Sequence, residues 1–477
     1  MGVNIKFGTS GWRAVISDEF TFDNVRLVTQ AIANYLKKRT RRKEVGQGPK
    51  VIIGYDTRFL SKEFAQVCAQ VLAQNKIKVL ISNRDMPTPV VAYHIIKKKA
   101  SGGINFTASH NPPEYNGIKF SPQSGAPAPP EVTKKIEAEI KRLQAAGFKA
   151  KAQHINSLKY IKTFDPKPAY FSQIRKIINF AAIKKANLKI AADCLYGTAR
   201  EYLDYLLKEA NCETEVLRNW LDPYFEGRGP EPAEDNIKGL IDCVKKKKLD
   251  LGLACDGDAD RFGITDSDGT YISANQVISL LLYHLIKTRV KKTKPVAIRT
   301  VATTHMVDAI CEKFNVKVHE TPVGFKYFAE YLIADNCIIA GEESGGLSIS
   351  GHVPEKDGIL ACLLVAEMVA LNKKPLKKLL ASLHKEFGYF YFKRVDLHMT
   401  PEQKNKLMNM LAHKTPKVFA SQSVTRVDKR DGCKLLFKDA SWALFRPSGT
   451  EPIVRCYFEA RTQVRLKQLI VAGNRLT

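Results

Sequence analysis

A serine and a cluster of carboxylates are the residues of this sequence whose surroundings best suit chemistry. Ser109 lies in the string Thr-Ala-Ser-His-Asn-Pro behind the apolar run 103–106, which predicts a loop at the end of a buried strand. Asp256, Asp258 and Asp260 alternate along a second loop that follows another apolar run. A serine presented in this way can carry a phosphoryl group, and three clustered carboxylates favour a hard divalent cation. Together the two loops predict a phosphoryl-transfer centre.

The acidic loop can be compared with three kinds of site that need different residues. An EF-hand requires glycine where Arg261 stands and glutamate where Ser267 stands, which excludes it. A dehalogenase-type nucleophile fits Asp256 and Asp258, but Ala259 does not begin the hydroxyl or branched pair expected next. A magnesium site requires only that the three carboxylates face one ion. Because these carboxylates would repel one another without a cation, we favour magnesium over a polar turn.

The loop around Ser109 differs from the loops that hold hydrolase nucleophiles. It lacks the G-x-S-x-G pattern, and the prolines that follow His110 favour an extended or turning backbone. A turn serine bonded to its own backbone is the plain alternative. Arg13, in a glycine-rich loop, and Lys119, shortly after the serine, could face a phosphate or could be surface cations.

Two further loops have the composition of an anion site and a sugar site. The segment 446–450 combines a guanidinium, two hydroxyls and a glycine whose amide can approach an oxyanion, and Arg455 can add a second guanidinium. The segment 341–346 reads Gly-Glu-Glu-Ser-Gly-Gly and offers a carboxylate and a hydroxyl to sugar hydroxyls. Each segment alone could also be an ordinary turn.

Apolar runs of strand length alternate with segments of helical length through most of the chain. Three examples are 51–56 before 62–75, 188–193 before 199–210, and 295–299 before 304–314. This alternation is typical of βαβ units. It predicts three α/β units with seams near 163–168, 266–269 and 387–389. After Tyr389 the elements predict a smaller α+β unit.

Length and composition predict an ordinary globular protein of several domains. The chain has 477 residues, whereas single hydrophobic cores stop growing near roughly 250–300 residues. Its apolar runs are shorter than the roughly 20 residues that a membrane helix needs, and no signal peptide is expected. The 10 cysteines are scattered singly, which suggests neither zinc nor disulfides. These features predict a cytoplasmic protein without a membrane segment.

The net charge of +27 predicts that the protein attracts anions. Sugar phosphates and nucleic acids are both anions, so the sign of the charge does not choose between them. The basic runs, such as 245–248, fall at expected helix ends and lack interleaved aromatic residues. We therefore expect no specific nucleic-acid partner, and a nucleic-acid-binding protein remains the non-enzyme alternative.

Taken in chain order, four loops resemble the signature loops of the α-D-phosphohexomutase superfamily, the phosphoglucomutases and phosphomannomutases. They are 107–112, 256–261, 341–346 and 446–452. The resemblance covers essentially the whole chain, with one loop in each expected domain. It implies three similar α/β domains with mixed sheets and a smaller α+β C-terminal domain around a central cleft. The implied domains are 1–162, 163–269, 270–388 and 389–477.

The resemblance also implies roles for individual residues. Ser109 would be the phosphoserine, and its phosphate together with Asp256, Asp258 and Asp260 would bind Mg²⁺. The charged and proton-handling residues would be Arg13, His110, Lys119 and Arg261. The residues on the sugar would be Gly324, Lys326, Glu342 and Ser344. The residues on the non-reacting phosphate would be Arg446, Ser448, Gly449, Thr450 and Arg455.

The reaction implied by the resemblance interconverts glucose 1-phosphate and glucose 6-phosphate. Glucose 1,6-bisphosphate is the expected intermediate and activator, and the last domain is expected to close over it. A phosphomannomutase or a dual-specificity enzyme is the first alternative. A phosphoglucosamine mutase ranks lower, because such enzymes tend to carry another residue at Glu343. A phosphatase with Asp256 as nucleophile is the rival reaction, and the protein is expected to be a monomer or a homodimer.

Overall fold

Four β-sheets follow one another along the chain in this computed structural model. The structure describes residues 3–8, 11–40, 48–148, 155–289, 294–334, 336–448 and 453–476. The first three sheets mix parallel and antiparallel pairs, and the fourth sheet is antiparallel throughout. The predicted sequence of three α/β units and one α+β unit is therefore confirmed.

The first unit has a six-stranded sheet with helices on both faces. Its strands are β1 (Trp12–Val15), β2 (Lys50–Tyr55), β3 (Lys78–Ser82), β4 (Gly102–Phe106), β5 (Tyr115–Pro122) and β6 (Ile161–Phe164), in the order β1-β5-β4-β2-β3-β6. Its helices are α1 (Phe22–Thr40), α2 (Ser61–Gln74), α3 (Thr88–Lys97) and α4 (Pro130–Ala145). Along β2, Val51 and Ile53 pack in one apolar cluster and Ile52 in another. The strand is apolar throughout because both of its faces are covered.

The second unit has a five-stranded sheet in the order β11-β10-β9-β7-β8. Its strands are β7 (Lys189–Asp193), β8 (Glu213–Leu217), β9 (Leu251–Cys255), β10 (Phe262–Asp266) and β11 (Tyr271–Ile272). Its helices are α5 (Lys167–Ile177), α6 (Phe180–Ala186), α7 (Leu203–Glu209) and α8 (Lys238–Lys247). Strands β9 and β10 are antiparallel neighbours, so the acidic loop is the short connection between them.

The third unit has a four-stranded sheet in the order β13-β12-β14-β15. Its strands are β12 (Val296–Thr300), β13 (Lys317–Thr321), β14 (Cys337–Glu342) and β15 (Gly346–Ile349). Its helices are α9 (Ala274–Arg289), α10 (Met306–Lys313), α11 (Ala329–Ile333), α12 (Gly358–Asn372) and α13 (Leu376–Phe387). Helix α12 is buried on nearly all sides, and Asp357 caps its first turn by accepting from the amide of Leu360.

The fourth unit is an antiparallel sheet with two helices. Its strands are β16 (Tyr391–His398), β17 (Val418–Phe419), β18 (Gln422–Asp428), β19 (Cys433–Phe437), β20 (Trp442–Pro447) and β21 (Ile453–Ala460), in the order β16-β21-β20-β19-β18-β17. Its helices are α14 (Pro401–His413) and α15 (Gln463–Asn474). Thr400 and Gln403 form a capping box that fixes the start of α14.

The apolar cores show which units are joined most firmly. One continuous cluster runs from Met86 and Val90 of the first unit through the second unit into α12 of the third. The fourth unit has a separate core. A small cluster that contains Val301 and Trp442 joins the fourth unit to the third. The fourth unit is therefore the one with the least apolar attachment to the rest.

Buried polar groups complete the contact between the third and fourth units. The Lys434 ammonium donates to the carbonyl oxygen of Val301 at 2.7 Å and to Glu320 at 2.9 Å. Glu459 accepts from the amide of His305 at 2.9 Å. Because a buried charge is tolerated only when it is paired, these contacts fix how the two units dock.

The strand pairings can be compared with the predicted domain boundaries. The predicted boundary at 162/163 falls inside β6, which pairs with β3 and so extends the first sheet to Phe164. Likewise, β11 pairs with β10 of the second sheet and lies beyond the predicted boundary at 269/270. The four predicted domain ranges remain predictions. Among the helices that the structure describes, none is both long and apolar enough to cross a membrane.

Candidate active site

Ser109 lies in the loop that follows β4, at the end of the strand. Its backbone is in the left-handed region with φ 55°, and its side chain is buried. The amide of Ser109 donates to the Thr107 hydroxyl at 2.8 Å. A non-glycine residue in this conformation is uncommon and needs support from its surroundings.

Arg58 supplies that support. Its guanidinium donates to four carbonyl oxygens of the loop, those of Ser109 (2.7 Å), Asn111 (2.6 Å), Pro112 (2.7 Å) and Tyr115 (3.0 Å). Asp56 Oδ2 lies 3.2 Å from Arg58 Nε, and the centroid of the Phe225 ring lies 5.0 Å from the guanidinium carbon. The sequence analysis missed Arg58. Its only sequence signal is the Asp-x-Arg pattern directly after β2.

The acidic loop meets the serine loop from the second unit. The Ser109 hydroxyl donates to Asp256 Oδ2 at 2.9 Å. The other oxygen of Asp256 accepts from the amides of Asp260 (2.8 Å) and Arg261 (2.9 Å), which fixes the carboxylate. Residues far apart in the sequence thus share one buried pocket.

The three carboxylates fit a divalent cation. One oxygen from each of Asp256, Asp258 and Asp260 lies within 4.8 Å of the others. Within the described part of the chain, Oδ1 of Asp258 and Oδ1 of Asp260 are buried without a hydrogen-bond partner. Two unpaired carboxylate oxygens beside a serine hydroxyl are the hard oxygen ligands that Mg²⁺ prefers.

Lysines hold the remaining oxygens of the acidic loop. The Lys119 ammonium lies 2.6 Å from Asp258 Oδ2 and 3.3 Å from Asp260 Oδ2. Burial and the neighbouring acids raise the pKa of Asp256. Burial also favours the neutral form of Asp258, but Lys119 outweighs it and the pKa of Asp258 is lowered. Lys119 therefore favours the charged form of Asp258.

Strand pairing brings Lys119 and Arg13 to the serine loop. Lys119 on β5 pairs with Asn105 on β4, and β1 pairs with β5 on its other side. Arg13 donates to the Asn111 side chain at 2.6 Å. His110 Nδ1 lies 3.3 Å from the Ser109 hydroxyl oxygen. Burial, followed by nearby arginines, lowers the pKa of His110 well below its usual value, so the ring is neutral.

Lys356 is a second residue that the sequence analysis missed. It comes from the third unit, directly before the N-cap of α12, and its ammonium lies 3.1 Å from Asp260 Oδ2. A Cβ at Gly346 would lie 2.2 Å from Lys356 Cδ, so the glycine leaves the space through which the lysine passes. The signal for Lys356 is a Glu-Lys-Asp-Gly string before a long apolar run.

Glu342 stands at the end of β14 and faces the same region. Its Oε1 accepts from the amide of Gly324 at 2.9 Å. Burial raises the pKa of Glu342 to about 7. Ser344 is exposed in the turn between β14 and β15, and Glu343 accepts from the Thr300 hydroxyl at 3.0 Å.

Arg261 and Lys326 are two further cations that the sequence predicts for the site. Arg261 pairs with Glu231 at 2.9 Å. Lys326 is half-buried, and burial followed by Arg446 lowers its pKa. Arg446 is therefore close enough to Lys326 to act on its charge.

The fourth unit contributes two arginines from neighbouring strands. Arg446 on β20 is the register partner of Arg455 on β21, so the two side chains share one face of the sheet. Ser448 is buried, and its carbonyl oxygen accepts from the Lys404 ammonium. The predicted residues Gly449 and Thr450 lie outside the described residues.

Comparison with known proteins agrees with this geometry. Four family models match the chain in order. They are phosphoglucomutase/phosphomannomutase alpha/beta/alpha domain I (residues 4–146), domain II (168–269), domain III (273–387) and the C-terminal domain (400–472).

Individual proteins resemble the chain over its whole length. A phosphoglucomutase/phosphomannomutase of Thermococcus kodakarensis is 30% identical, with 98% of each chain covered. A protein of Methanosphaera stadtmanae named a probable phosphoglucosamine mutase is 31% identical, covering 98% of this chain and 97% of its own. A candidate phosphomannomutase from Thermus thermophilus superimposes with a TM-score of 0.85 at 30% identity, covering 100% and 99% of the two chains. The chain belongs to the phosphoglucomutase/phosphomannomutase family of phosphohexomutases.

Proposed function

We propose that the protein is a phosphoglucomutase that interconverts glucose 1-phosphate and glucose 6-phosphate through a phosphoserine at Ser109. The observation that carries the proposal is the 2.9 Å contact between the Ser109 hydroxyl and Asp256, within a buried cluster of three carboxylates. A serine with this neighbour can hold a phosphate beside a cation.

The acidic loop would hold the cation. Asp256, Asp258 and Asp260 would bind Mg²⁺ together with the phosphate on Ser109, and the bound ion would neutralise charge on the phosphoryl oxygens. Lys119 and Lys356 hold Asp258 and Asp260 through ion pairs.

The chain's own residues account for the transfer. The bond between phosphorus and the Ser109 oxygen breaks as the free hydroxyl of the sugar phosphate bonds to phosphorus in line. His110, held neutral by burial, can accept the proton of that hydroxyl and pass it to the departing Ser109 oxygen, which lies 3.3 Å from His110 Nδ1. Arg13 and Arg261 add positive charge around the phosphoryl group. The product of this half-reaction is glucose 1,6-bisphosphate, which also serves as the activator that restores the phosphoserine.

The second half-reaction needs the bisphosphate to turn over in the cleft. We propose that Glu342, Ser344, Gly324 and Lys326 contact the sugar in both orientations. The phosphate remote from Ser109 would be held by Arg446, Ser448, Gly449, Thr450 and Arg455. Transfer to Ser109 from the other end of the sugar then releases the isomer.

The preferred sugar is glucose in this proposal, with mannose phosphates as the first alternative. Glu343 is engaged by Thr300, which supports a role in shaping the loop rather than in contacting an amino group. A phosphoglucosamine substrate ranks lower, although several relatives carry the name of such a mutase. We further propose a cytoplasmic protein that acts as a monomer or a homodimer.

The rival phosphatase reaction fits the geometry less well. Its nucleophile would be Asp256, but one oxygen of this carboxylate accepts two backbone amides and the other accepts the Ser109 hydroxyl. A carboxylate with both oxygens engaged is poorly placed to attack phosphorus.

Coupled assays with glucose, mannose and glucosamine 1-phosphates test the proposal. We expect turnover to be fastest with glucose 1-phosphate and a phosphopeptide that contains Ser109. Ser109→Ala should lose turnover of all three sugars while Mg²⁺ still stabilises the fold. Inactivity of the wild type on all three sugars, or full activity of Ser109→Ala, would contradict the proposal.

A further inference from the structure

Asp431 lies between the two loops that the proposed function assigns to the substrate. Its Oδ2 accepts from Arg446 Nε at 2.8 Å. The same oxygen accepts from the backbone amide of Val323 at 2.9 Å. Arg446 belongs to the fourth unit and Val323 to the third, so one carboxylate oxygen joins the two units.

A second hydrogen bond connects this segment to the loop 341–346, which is proposed to contact the sugar. Gly324 follows Val323, and its amide donates to Glu342 Oε1 at 2.9 Å. Gly324 has φ 130°, a conformation that favours glycine and that lets two consecutive amides point to two different carboxylates. Asp431 and Glu342 are therefore connected through two neighbouring peptide units.

The contact also fixes the orientation of Arg446. A guanidinium presents its N–H groups in a rigid fork, so a partner on its Nε edge sets the plane of the whole group. A phosphate is best held when that plane is fixed before the phosphate arrives. Lys326 lies close to the same arginine, and Asp431 supplies negative charge near both cations.

We propose that Asp431 is a positioning residue for the phosphohexomutase reaction. It holds Arg446 in the orientation that binds the phosphate remote from Ser109, and it links this arginine to the loop at Glu342. The inference rests on the proposed function, in which Arg446 holds a phosphate and Glu342 holds the sugar. Movement of the fourth unit must then carry the Val323–Gly324 loop with it or break this link.

A double-mutant cycle between Asp431→Asn and Arg446→Lys tests the inference. The readouts are kcat and KM for glucose 1-phosphate and the inhibition constant of inorganic phosphate. We expect D431N to raise KM and the inhibition constant about 10-fold, with a smaller change in kcat. Because Asp431 acts through Arg446, D431N should add little in the R446K background.

Asp428→Asn is the matched control. Asp428 also pairs with an arginine at the rim of this interface, since Arg430 lies 3.0 Å from its carboxylate. D428N should leave both constants near the wild-type values and should match D431N in thermal unfolding midpoint. If D431N does not fold, Asp431→Glu replaces it in the cycle, because it keeps the charge and displaces the arginine.

The outcomes separate this inference from the proposed function. If the wild type is active and D431N equals it, or if the effects of D431N and R446K are additive, Asp431 is not a positioning residue and the proposed function stands. If the wild type converts no hexose phosphate, the proposed function fails. The cycle is then read from calorimetric binding of inorganic phosphate, in which non-additivity supports the link and additivity refutes it.

Discussion

Individual residues of this site are buried charges that hold one another in place. Asp260 is contacted by both Lys119 and Lys356, and the three residues come from three different units. A buried charge without a partner is costly, whereas a paired one is tolerated and oriented. Removing one partner should therefore affect both stability and chemistry.

The raised pKa of Glu342 predicts a pH dependence. Burial raises this pKa to about 7, so the group is protonated below that pH and would lose the acceptor that the proposed mechanism offers to sugar hydroxyls. We expect kcat/KM to fall as the pH drops from 8 to about 6. Glu342→Gln should lower kcat/KM and remove this limb, leaving only the titration of the substrate phosphate. A limb that persists unchanged in the variant would assign it to another group.

Gly346→Ala should displace the Lys356 side chain without changing the lysine itself. The new Cβ would lie 2.2 Å from Lys356 Cδ and would displace the lysine from Asp260. We expect kcat to fall on the order of 100-fold. The double variant with Lys356→Met should be no slower than Lys356→Met alone, as measured by coupled assay. Gly239→Ala, where nothing lies within 4 Å of the added Cβ, is the control and should keep full activity.

At the scale of elements, one face of the fourth sheet carries both the residues that pack on the third unit and the two arginines proposed to bind phosphate. Toward one end of β20 and β21, Trp442 and Glu459 pack on the third unit. Toward the other end, Arg446 and Arg455 stand side by side. Because side chains alternate along strands, the residues that dock the unit and those that would hold a phosphate share one face. Docking and binding are thus mechanically linked.

The ion pairs of Glu320 on β13 should make the docking of the third and fourth units depend on pH. Burial raises its pKa, but Arg299 and Lys434 outweigh this and lower it to about 2 from 4.5. A lowered acid pKa stabilises the fold above pH 4.5, and this stabilisation is lost as the pH falls towards 2. We expect Glu320→Gln to cost up to about 3 kcal/mol at pH 7.

Urea unfolding at pH 7, 5, 4 and 3 measures this difference. The gap between the wild type and E320Q should shrink as the pH falls below 4.5. Glu386→Gln, which removes an exposed pair with Lys313, should cost less than about 1 kcal/mol at every pH. A gap that stays constant with pH would show that Glu320 does not titrate as expected.

At the scale of the whole molecule, the acidic loop is where three units meet. Ser109, Asp256 and Lys356 reach it from the first, second and third units. One continuous apolar cluster runs through these three units and holds them together, while the fourth unit has a core of its own. A ligand bound at the loop should therefore stabilise the three units together.

Metal removal tests this expectation. At a free Mg²⁺ concentration 100 times Kd, binding adds about 2.7 kcal/mol to the free energy of unfolding. We expect a chelator to lower the wild-type Tm and to leave Asp258→Asn unchanged, measured by calorimetry. Asp268→Asn, on an exposed turn of the same unit, should respond like the wild type. An equal response of D258N and the wild type would place the ion elsewhere.

Much of the architecture could be predicted from the chain because its signals are local. The apolar runs of β2, β9 and β14 have strand length and end in polar loops, so both the units and the loops that follow them are visible in the sequence. The pairing of β6 with β3 across the predicted boundary at 162/163 is a contact that no local pattern shows. Arg58 and Lys356 were missed because each is an isolated cation until the fold supplies its partners.

The sequence by itself determined the four units, the family and the residue types of the pocket, since periodicity and loop composition act over a few neighbouring residues. Only the tertiary structure decided which charges meet. It placed Lys356 on Asp260, Arg58 under the serine loop and Asp431 between two units. The physical reason is that the energy of a buried ion pair depends on the distance between the charges and on their desolvation. The spacing of residues along the chain specifies neither quantity.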